Sequence, residues 1–294
     1  MTGILKGIYP PLTTPFVDDE VSIDNLIENI LRYETKLLSG YVLFGSNGES
    51  VFLTKEEKLF LVRKTREHTN RTIIVGTGME SIKETISLSN EAAEFGANFA
   101  LVITPSFFKS EMKHHTFLNY YTKIADSVMI PVIIYNVPKF TNVNIETETI
   151  LELSAHPNIV ALKDSTENPA RISELAANIN SDFKLLVGTA SVLYSGLLTG
   201  AVGGILALAN IAPDACIQII NLIRERNFEK ALEIQNKIIP VNKAVTAKYG
   251  VDGLKAAMDM MGYFGGHPRL PLDPLSEAQL IELKMILKNA ELIN

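Results

Sequence analysis

Residues 158–166 of the chain, NIVALKDST, form an apolar run that ends in a lysine. A short, continuous apolar run of this kind is typical of a strand that is buried on both faces, as in a parallel sheet. Such a strand places Lys163 at its carboxyl end, where a charge is costly to keep. The run therefore raises two questions: which sheet contains it, and what the lysine does there.

Seven further runs resemble this one, and segments with the apolar spacing of helices separate them. A strand followed by a helix, repeated along the chain, indicates a parallel sheet covered by helices. Eight repeats suit a (β/α)8 TIM barrel, whose typical length is about 250 residues. An open doubly wound sheet is the alternative, but nothing in the sequence marks a chain reversal. The eight runs are GIYPPLTT (7–14), GYVLFGS (40–46), TIIVGTG (72–78), FALVITP (99–105), PVIIYNVP (131–138), NIVALKDS (158–165), KLLVGTA (184–190) and GGILALAN (203–210).

The pattern after Pro213 is helical only, and it contains more helices than the last repeat of a barrel needs. We therefore predict an α/β protein with two parts. A (β/α)8 catalytic barrel occupies residues 1–223, and a C-terminal helical extension packed on the barrel occupies residues 224–294.

The composition, 47% hydrophobic and 20% charged residues, is ordinary for a globular protein. The formal net charge is −6 and the positive residues are scattered, so no nucleic-acid partner is expected. A single cysteine, Cys216, excludes an internal disulfide and fits a reducing compartment. Residues 1–14 lack the pattern of a signal peptide, and polar residues interrupt the longest apolar stretch, 201–223. We expect a cytoplasmic protein with no membrane partner.

The active site of such a barrel lies at the carboxyl ends of its strands. Side chains alternate along a strand, so Ile159, Ala161, Lys163 and Ser165 are expected to face the barrel interior, and Asp164 the helices. Burial favours the neutral form of a lysine, and a neutral amine can attack a ketone to form a Schiff base. Two other interpretations remain at this point: a lysine paired with a carboxylate, or one exposed at the strand end.

Two other strand ends carry reactive groups. Tyr135, in YNVP, has a phenol that could pass protons near the amine, or could be a core tyrosine with one hydrogen bond. In GSNGES, the glycines leave backbone N–H groups open to an anion beside Ser46 and Asn47, although a tight turn explains them equally well. The five histidines lack ligand spacing and GTG (76–78) is no dinucleotide motif, so neither a metal nor a cofactor is predicted.

Taken together, the motifs GSNGE, YNVP, ALKDS, GAVGGILALAN and RLPLDPLS resemble, over nearly the whole chain, the superfamily of dihydrodipicolinate synthase and N-acetylneuraminate lyase. The resemblance implies a Schiff-base enzyme acting on a 2-oxo acid. It implies that Lys163 forms the imine, that Tyr135 relays protons, and that Ser46 and Asn47 hold the substrate carboxylate. It further implies that Gly188 and Ile205 line the pocket, and that the protein is a homotetramer built as a dimer of dimers.

Two departures bear on the subfamily. Synthases of this superfamily carry an arginine two residues after YNVP, where this chain has Phe140, and a tyrosine after the TP of strand four, where it has Phe107 and Phe108. The sequence therefore resembles more closely the branch of 4-hydroxy-2-oxoglutarate and 2-keto-3-deoxy sugar acid aldolases, in which Ser165 is a further pocket residue. We expect a lyase that cleaves or forms a 4-hydroxy-2-oxo acid. The alternatives are a dihydrodipicolinate synthase, a 2-keto-3-deoxy acid dehydratase and a sensor that binds 2-oxo acids without turnover.

Overall fold

The computed structural model describes residues 5–294. Residues 1–4 lie outside the described part. They belong to the predicted barrel domain and to the segment that is expected to lack a signal peptide. Each of the eight predicted runs contains a strand. The barrel strands are β1 (Gly7–Tyr9), β2 (Gly40–Leu43), β3 (Thr72–Gly76), β4 (Phe99–Ile103), β5 (Val132–Asn136), β6 (Ile159–Asp164), β7 (Lys184–Val187) and β8 (Gly203–Ile205).

The eight strands are parallel and pair in the order β1, β8, β7, β6, β5, β4, β3, β2. The two ends of this sheet meet, because Val42 N donates to Pro10 O at 3.0 Å and Leu12 N donates to Val42 O at 2.9 Å. A closed parallel sheet is a barrel, so the predicted TIM barrel is confirmed and the open doubly wound sheet is wrong. A small antiparallel hairpin, Phe16–Val17 with Glu20–Val21, follows β1.

Helices cover the outside of the barrel, and their starts show the expected chemistry. The helix after β2 begins at a capping box, in which Thr54 accepts from Glu57 N and the Glu57 side chain accepts from Thr54 N. The helices of the barrel layer are α1 (Ile23–Glu34), α2 (Lys55–His68), α3 (Ile82–Glu94), α4 (His114–Ser127), α5 (Pro138–Thr141), α6 (Thr147–Leu153), α7 (Pro169–Asn178), α8 (Leu193–Thr199) and α9 (Pro213–Arg224).

The predicted C-terminal helical extension is also present. It consists of α10 (Phe228–Lys243), a π-helical turn (Ala244–Lys248), α11 (Gly250–Met260) and α12 (Glu277–Asn289). Side chains of α10 hold the loop after β7: Gln235 Nε2 donates to Ala190 O at 2.9 Å, and Asn242 Nδ2 donates to Thr189 Oγ1 at 2.9 Å. The extension is therefore built against the barrel at the carboxyl ends of its strands. The division at residues 223 and 224 stays a prediction.

Two apolar clusters hold the barrel together. The larger lies between strands and helices, and the smaller fills the barrel interior. No helix within residues 5–294 is both long enough and apolar enough to span a bilayer. The interior cluster contains Leu5, Tyr9, Val42, Ile74, Phe99, Leu101, Ile133, Tyr135, Val137, Ala161, Leu186 and Ile205.

Candidate active site

Lys163 occupies the carboxyl end of β6, inside the barrel. Its neighbour Ala161 belongs to the interior cluster, as the alternation predicts, and Lys163 is only 4% exposed. None of the ion pairs formed within residues 5–294 involves Lys163. Both other interpretations of this lysine, pairing with a carboxylate and exposure at the strand end, are therefore wrong for the described part of the chain.

Ile159 departs from the predicted alternation. It packs in the outer cluster rather than the interior, whereas Val160 packs against the interior cluster. The cause is a register shift, since Val132 pairs with Ile159 but the next residue, Ile133, pairs with Ala161. This irregularity reverses the faces at the start of β6 and leaves the inward face of its end unchanged.

Tyr135 lies beside Lys163 because the two residues are partners in the register of β5 and β6. The Lys163 Nζ atom sits 3.8 Å from the centre of the Tyr135 ring. An aromatic face in this position stabilises a positive charge on the nitrogen whenever the nitrogen carries one. The Tyr135 hydroxyl lies 3.3 Å from Ser46 Oγ, so the phenol is held by a hydroxyl of another strand end.

Ser46 and Asn47 lie in a short 3₁₀ turn, Ser46–Gly48, that follows β2. The chain enters this turn through Phe44, which has a left-handed φ of 58°. Gly76 makes the close approach of β3 possible here, because a Cβ at Gly76 would lie 2.1 Å from Phe44 O. The turn faces the Tyr135 hydroxyl through Ser46, and Asn47 is half-buried next to it.

Gly188 and Ser165 meet at the ends of β7 and β6. A Cβ at Gly188 would lie 1.8 Å from Ser165 Oγ, so only glycine leaves room for the serine hydroxyl. Gly188 N donates to Asp164 O at 2.7 Å, which ties the two strand ends together. Ile205, at the end of β8, is fully buried in the interior cluster that also contains Tyr135. All seven sequence-predicted residues thus lie at the carboxyl ends of the strands.

The sequence did not predict the ion pair that lies between β6 and the helix layer. Asp164 points toward the helices, as expected, and its Oδ2 lies 3.1 Å from Arg171 Nε in α7. Both side chains are buried. Asn136 Nδ2 also donates to Asp164 Oδ2, at 3.2 Å, and Thr166 N donates to Oδ1 at 2.9 Å. The only signal in the sequence was a charged residue, Asp164, at the end of an apolar strand, and this signal does not identify Arg171 as its partner.

A cleft of about 750 Å³ opens beside Ser165, between the loops that follow β5 and β6. It contains three carboxylates, Glu146, Glu167 and Glu174, and two cations. One cation is Arg171, which is paired with Asp164. The remaining lining residues are Pro138, Lys139, Asn144, Thr147, Thr166, Asn168 and Ala170.

The other cation of the cleft is Lys139. Its ammonium donates to Thr246 O in the π-helical turn at 2.8 Å, and no carboxylate within residues 5–294 pairs with it. An ammonium has three donors, so two remain for a ligand. Phe140, the next residue, is exposed.

Comparison with known proteins agrees with this geometry. The sequence profile of the Dihydrodipicolinate synthetase family matches residues 4–290. A 4-hydroxy-tetrahydrodipicolinate synthase of Methanocaldococcus jannaschii is 34% identical over 99% of this chain and 100% of its own. Among solved structures, a monomeric dihydrodipicolinate synthase variant superposes with a TM-score of 0.94, at 28% identity and 99% coverage of each chain. A chloride-inhibited dihydrodipicolinate synthase of Acinetobacter baumannii, complexed with pyruvate, gives a TM-score of 0.93 at 29% identity and covers 99% of this chain and 100% of that one.

The expected superfamily is confirmed by these matches, whereas the expected branch is wrong. The relatives are named as synthases, not as aldolases of 4-hydroxy-2-oxoglutarate or 2-keto-3-deoxy sugar acids. A match over residues 4–290 is stronger evidence for the branch than the three phenylalanines at positions 107, 108 and 140 are against it.

Proposed function

Because the chain belongs to the dihydrodipicolinate synthetase family, whose members are class I Schiff-base lyases, we propose that it condenses pyruvate with aspartate semialdehyde. This is the activity of a 4-hydroxy-tetrahydrodipicolinate synthase, the name that its relatives carry. The observation that carries the proposal is a buried lysine at the mouth of the barrel, which has no carboxylate partner within residues 5–294 and whose nitrogen lies over the Tyr135 ring.

In the proposed reaction, the neutral amine of Lys163 attacks C2 of pyruvate, and the carbonyl oxygen leaves as water. The resulting iminium withdraws electrons, so a proton leaves C3 and an enamine forms. The enamine carbon attacks the aldehyde carbon of the second substrate, which forms the new carbon–carbon bond and regenerates the iminium. The α-amino group of the second substrate, once deprotonated, then attacks C2, which closes the ring and displaces the amine of Lys163, so the water lost when the imine formed is not returned.

Two features of Tyr135 suit these steps. Its ring face lies under the nitrogen, where it favours the cationic iminium over the neutral amine. Its hydroxyl, 3.3 Å from Ser46 Oγ, is placed to carry the protons that leave and return at C2 and C3. The ring and the hydroxyl therefore have separate roles, and they can be separated by mutation.

The substrate carboxylate is assigned to the turn after β2. The side chains of Ser46 and Asn47 and the N–H groups of the turn are donors, and Ser46 lies next to Tyr135. The small Gly188, the hydroxyl of Ser165 and the apolar Ile205 would line the remaining walls. No metal or cofactor has a role in this scheme.

The cleft beside Ser165 is assigned to the second substrate. Aspartate semialdehyde carries an α-carboxylate and an α-ammonium, and the cleft offers groups of both signs. Lys139, with two donors available, suits the carboxylate, while the carboxylates of the cleft suit the ammonium. A cation is thus available in the cleft even though position 140 is a phenylalanine.

A second candidate is an aldolase acting on a 4-hydroxy-2-oxo acid, which would use the same imine. It is favoured by Phe140, Phe107 and Phe108, since none of the three can bind an anion or relay a proton. The dehydratase and the non-catalytic sensor remain further alternatives with the same binding residues. They differ in what leaves the imine: a hydroxyl for the dehydratase, and nothing for the sensor.

The first test is intact-mass spectrometry after incubation with pyruvate and borohydride. Wild type should gain a reduced pyruvyl adduct that Lys163→Ala lacks. Lys58→Ala is a matched control, because Lys58 is also 4% exposed but lies on α2. No adduct on any variant would contradict the imine chemistry.

A substrate comparison then separates the candidates. With wild type, the proposal expects pyruvate consumption in the presence of aspartate semialdehyde, at a kcat/KM well above that for cleavage of 4-hydroxy-2-oxoglutarate. The reverse order would establish the aldolase, and an adduct without turnover of any substrate would establish the sensor.

The assembly and location also stay proposals. We propose a homotetramer built from dimers, because the adjacent rings of Phe107 and Phe108 are 77% and 66% exposed and stack edge-to-face at 5.0 Å. Exposed apolar groups of this size suit a contact with a second copy. Light scattering should give a tetramer for wild type and a smaller species for the Phe107→Ser/Phe108→Ser variant. We also propose a cytoplasmic location, because the single cysteine, Cys216, is a free and buried thiol, as is usual in a reducing compartment.

A further inference from the structure

We propose that a buried ion pair between Glu49 and Lys255 positions the turn that binds the pyruvate carboxylate, so that the C-terminal extension sets the affinity for pyruvate. The inference rests on the proposed function, because it takes Ser46 and Asn47 as the carboxylate ligands. Glu49 and Lys255 are positioning residues, and neither is assigned a contact with substrate.

The pair is isolated from water. Lys255 Nζ, on α11, lies 2.6 Å from Glu49 Oε1, and the two side chains are 0% and 1% exposed. Lys255 Nζ also donates to His267 O at 2.9 Å and lies 4.6 Å from the centre of the Phe16 ring. Charges that are buried this deeply keep a single geometry, because any other arrangement would leave one of them uncompensated.

The position of Glu49 determines the backbone conformation of the turn that contains Ser46 and Asn47. Glu49 ends the Ser46–Gly48 turn and begins the next one, Ser50–Phe52, with a left-handed φ of 54°. Glu49 N donates to Ser46 O at 3.2 Å, which closes the first turn. A glutamate adopts a left-handed conformation only when its surroundings impose it. The side-chain contacts of Glu49 are therefore what hold the turn in this conformation.

The extension holds Glu49 at two points. Besides the contact with Lys255, Glu49 Oε2 accepts from Arg269 N at 2.8 Å. The side chain of Arg269 in turn binds Phe52 O, at the far end of the same loop, and Glu57, in the first turn of α2. The barrel contributes a hydrogen bond from Thr14 Oγ1 to Gly48 O at 2.7 Å, in addition to the contact between Ser46 Oγ and the Tyr135 hydroxyl. The turn is thus fixed between the barrel and the segment that joins α11 to α12.

A purely stabilising role explains this arrangement less well. An ion pair removed from water gives little net stability, and replacing both partners with neutral groups of similar size is often neutral or favourable. What the pair supplies is a defined position for Glu49, and Ser46 and Asn47 lie within three residues of it. Stability and position can therefore be separated by comparing single and double variants.

The experiment compares wild type, Lys255→Met, the double variant Glu49→Gln/Lys255→Met and the control Lys58→Met. Lys58 is a buried lysine on α2 that pairs with no carboxylate within residues 5–294. Each protein is titrated with pyruvate under borohydride trapping, and each is melted. The double variant keeps the shape of Glu49 and its acceptor for Arg269 N while removing both charges.

The double variant should melt near wild type, whereas its half-saturating pyruvate concentration should rise at least tenfold. Its trapping rate at saturating pyruvate should stay within threefold of wild type. Lys58→Met should leave the half-saturating concentration unchanged. A double variant with wild-type melting and wild-type half-saturation would overturn the proposal, as would a fall in the saturating rate alone.

Failure of the proposed function would be visible separately, as the absence of any adduct on wild type. In that case hydrogen exchange tests the positioning alone. Amides of residues 45–52 should exchange faster in the double variant than in wild type or Lys58→Met. Unchanged exchange in this segment would refute the inference whatever the protein catalyses. The same measurement applies to Glu49→Gln alone if Lys255→Met fails to fold.

Discussion

The ion pair of Arg171 with Asp164 holds the end of β6, one residue from the proposed Schiff-base lysine. Arg171 Nε lies 3.1 Å from Asp164 Oδ2, and Arg171 Nη2 also donates to Ile145 O. Replacing Arg171 with methionine keeps most of the side-chain volume and removes both interactions. Asp164, at 3% exposure, is then left as a buried charge without a cation.

The expected cost follows from that burial. Removing one partner of a buried ion pair destabilises a protein by about 3–5 kcal/mol, whereas the stability of a whole domain is about 5–15 kcal/mol. Asp164 keeps its hydrogen bonds from Thr166 N and Asn136 Nδ2, so we expect a loss of stability near the lower end of this range of about 3–5 kcal/mol, that is, about 3 kcal/mol. At roughly 2 °C per kcal/mol for a chain of this size, the Tm of Arg171→Met should fall by roughly 6 °C.

Urea unfolding measures the loss in the free energy of unfolding. Two further variants show whether the loss comes from the unpaired buried charge. The double variant Arg171→Met/Asp164→Asn removes the uncompensated charge and should regain most of the lost stability. Lys36→Met is the control, since its pair with Asp214 is solvent-exposed and should contribute less than about 1 kcal/mol. The reasoning is refuted if Arg171→Met costs no more than Lys36→Met, or if the double variant is as unstable as the single one.

Three further outcomes are expected. Tyr135→Phe keeps the ring under Lys163 and loses the hydroxyl, so borohydride trapping should persist while kcat falls by about 10²–10⁴-fold; equal loss of trapping and turnover would contradict separate roles. Gly188→Ala places a Cβ against Ser165 Oγ, so it should lower kcat/KM at least tenfold, and adding Ser165→Ala should restore part of the loss; no rescue would place the clash elsewhere. Burial, followed by the nearby carboxylate of Glu49, raises the pKa of Asp252 from its ordinary value of 3.8 to about 6. The folded state therefore binds this proton more tightly than the unfolded state, and its stability falls as the pH rises from about 4 to 6. Asp252→Asn should exceed wild type in stability at pH 7, with a difference that shrinks toward pH 4 in denaturant titrations; a constant difference would contradict this assignment.

The sequence predicted those features that depend on local pattern. Apolar runs and helical spacing located all eight strands, and alternation along β6 placed Lys163 inside the barrel. Features that depend on contacts between distant segments could not be predicted. The register shift beside Ile159 arises from pairing with β5, and the partner of Glu49 lies in the C-terminal extension. The predicted branch was wrong because it rested on single positions, such as Phe140, whereas the relatives that match over nearly the whole chain are named as synthases.

Three buried lysines show why burial by itself does not identify a nucleophile. Lys58 is buried on α2, outside the barrel, and burial lowers its pKa, but the residue faces no site at the carboxyl ends of the strands. Burial also lowers the pKa of Lys255, yet Glu49 lies 2.6 Å away and opposes that shift, so its amine is engaged in an ion pair. Lys163 alone of the three combines burial, the absence of a carboxylate partner within residues 5–294 and a position at the barrel mouth over an aromatic ring. A Schiff-base nitrogen must reach a carbonyl carbon and then carry positive charge, and this combination permits both.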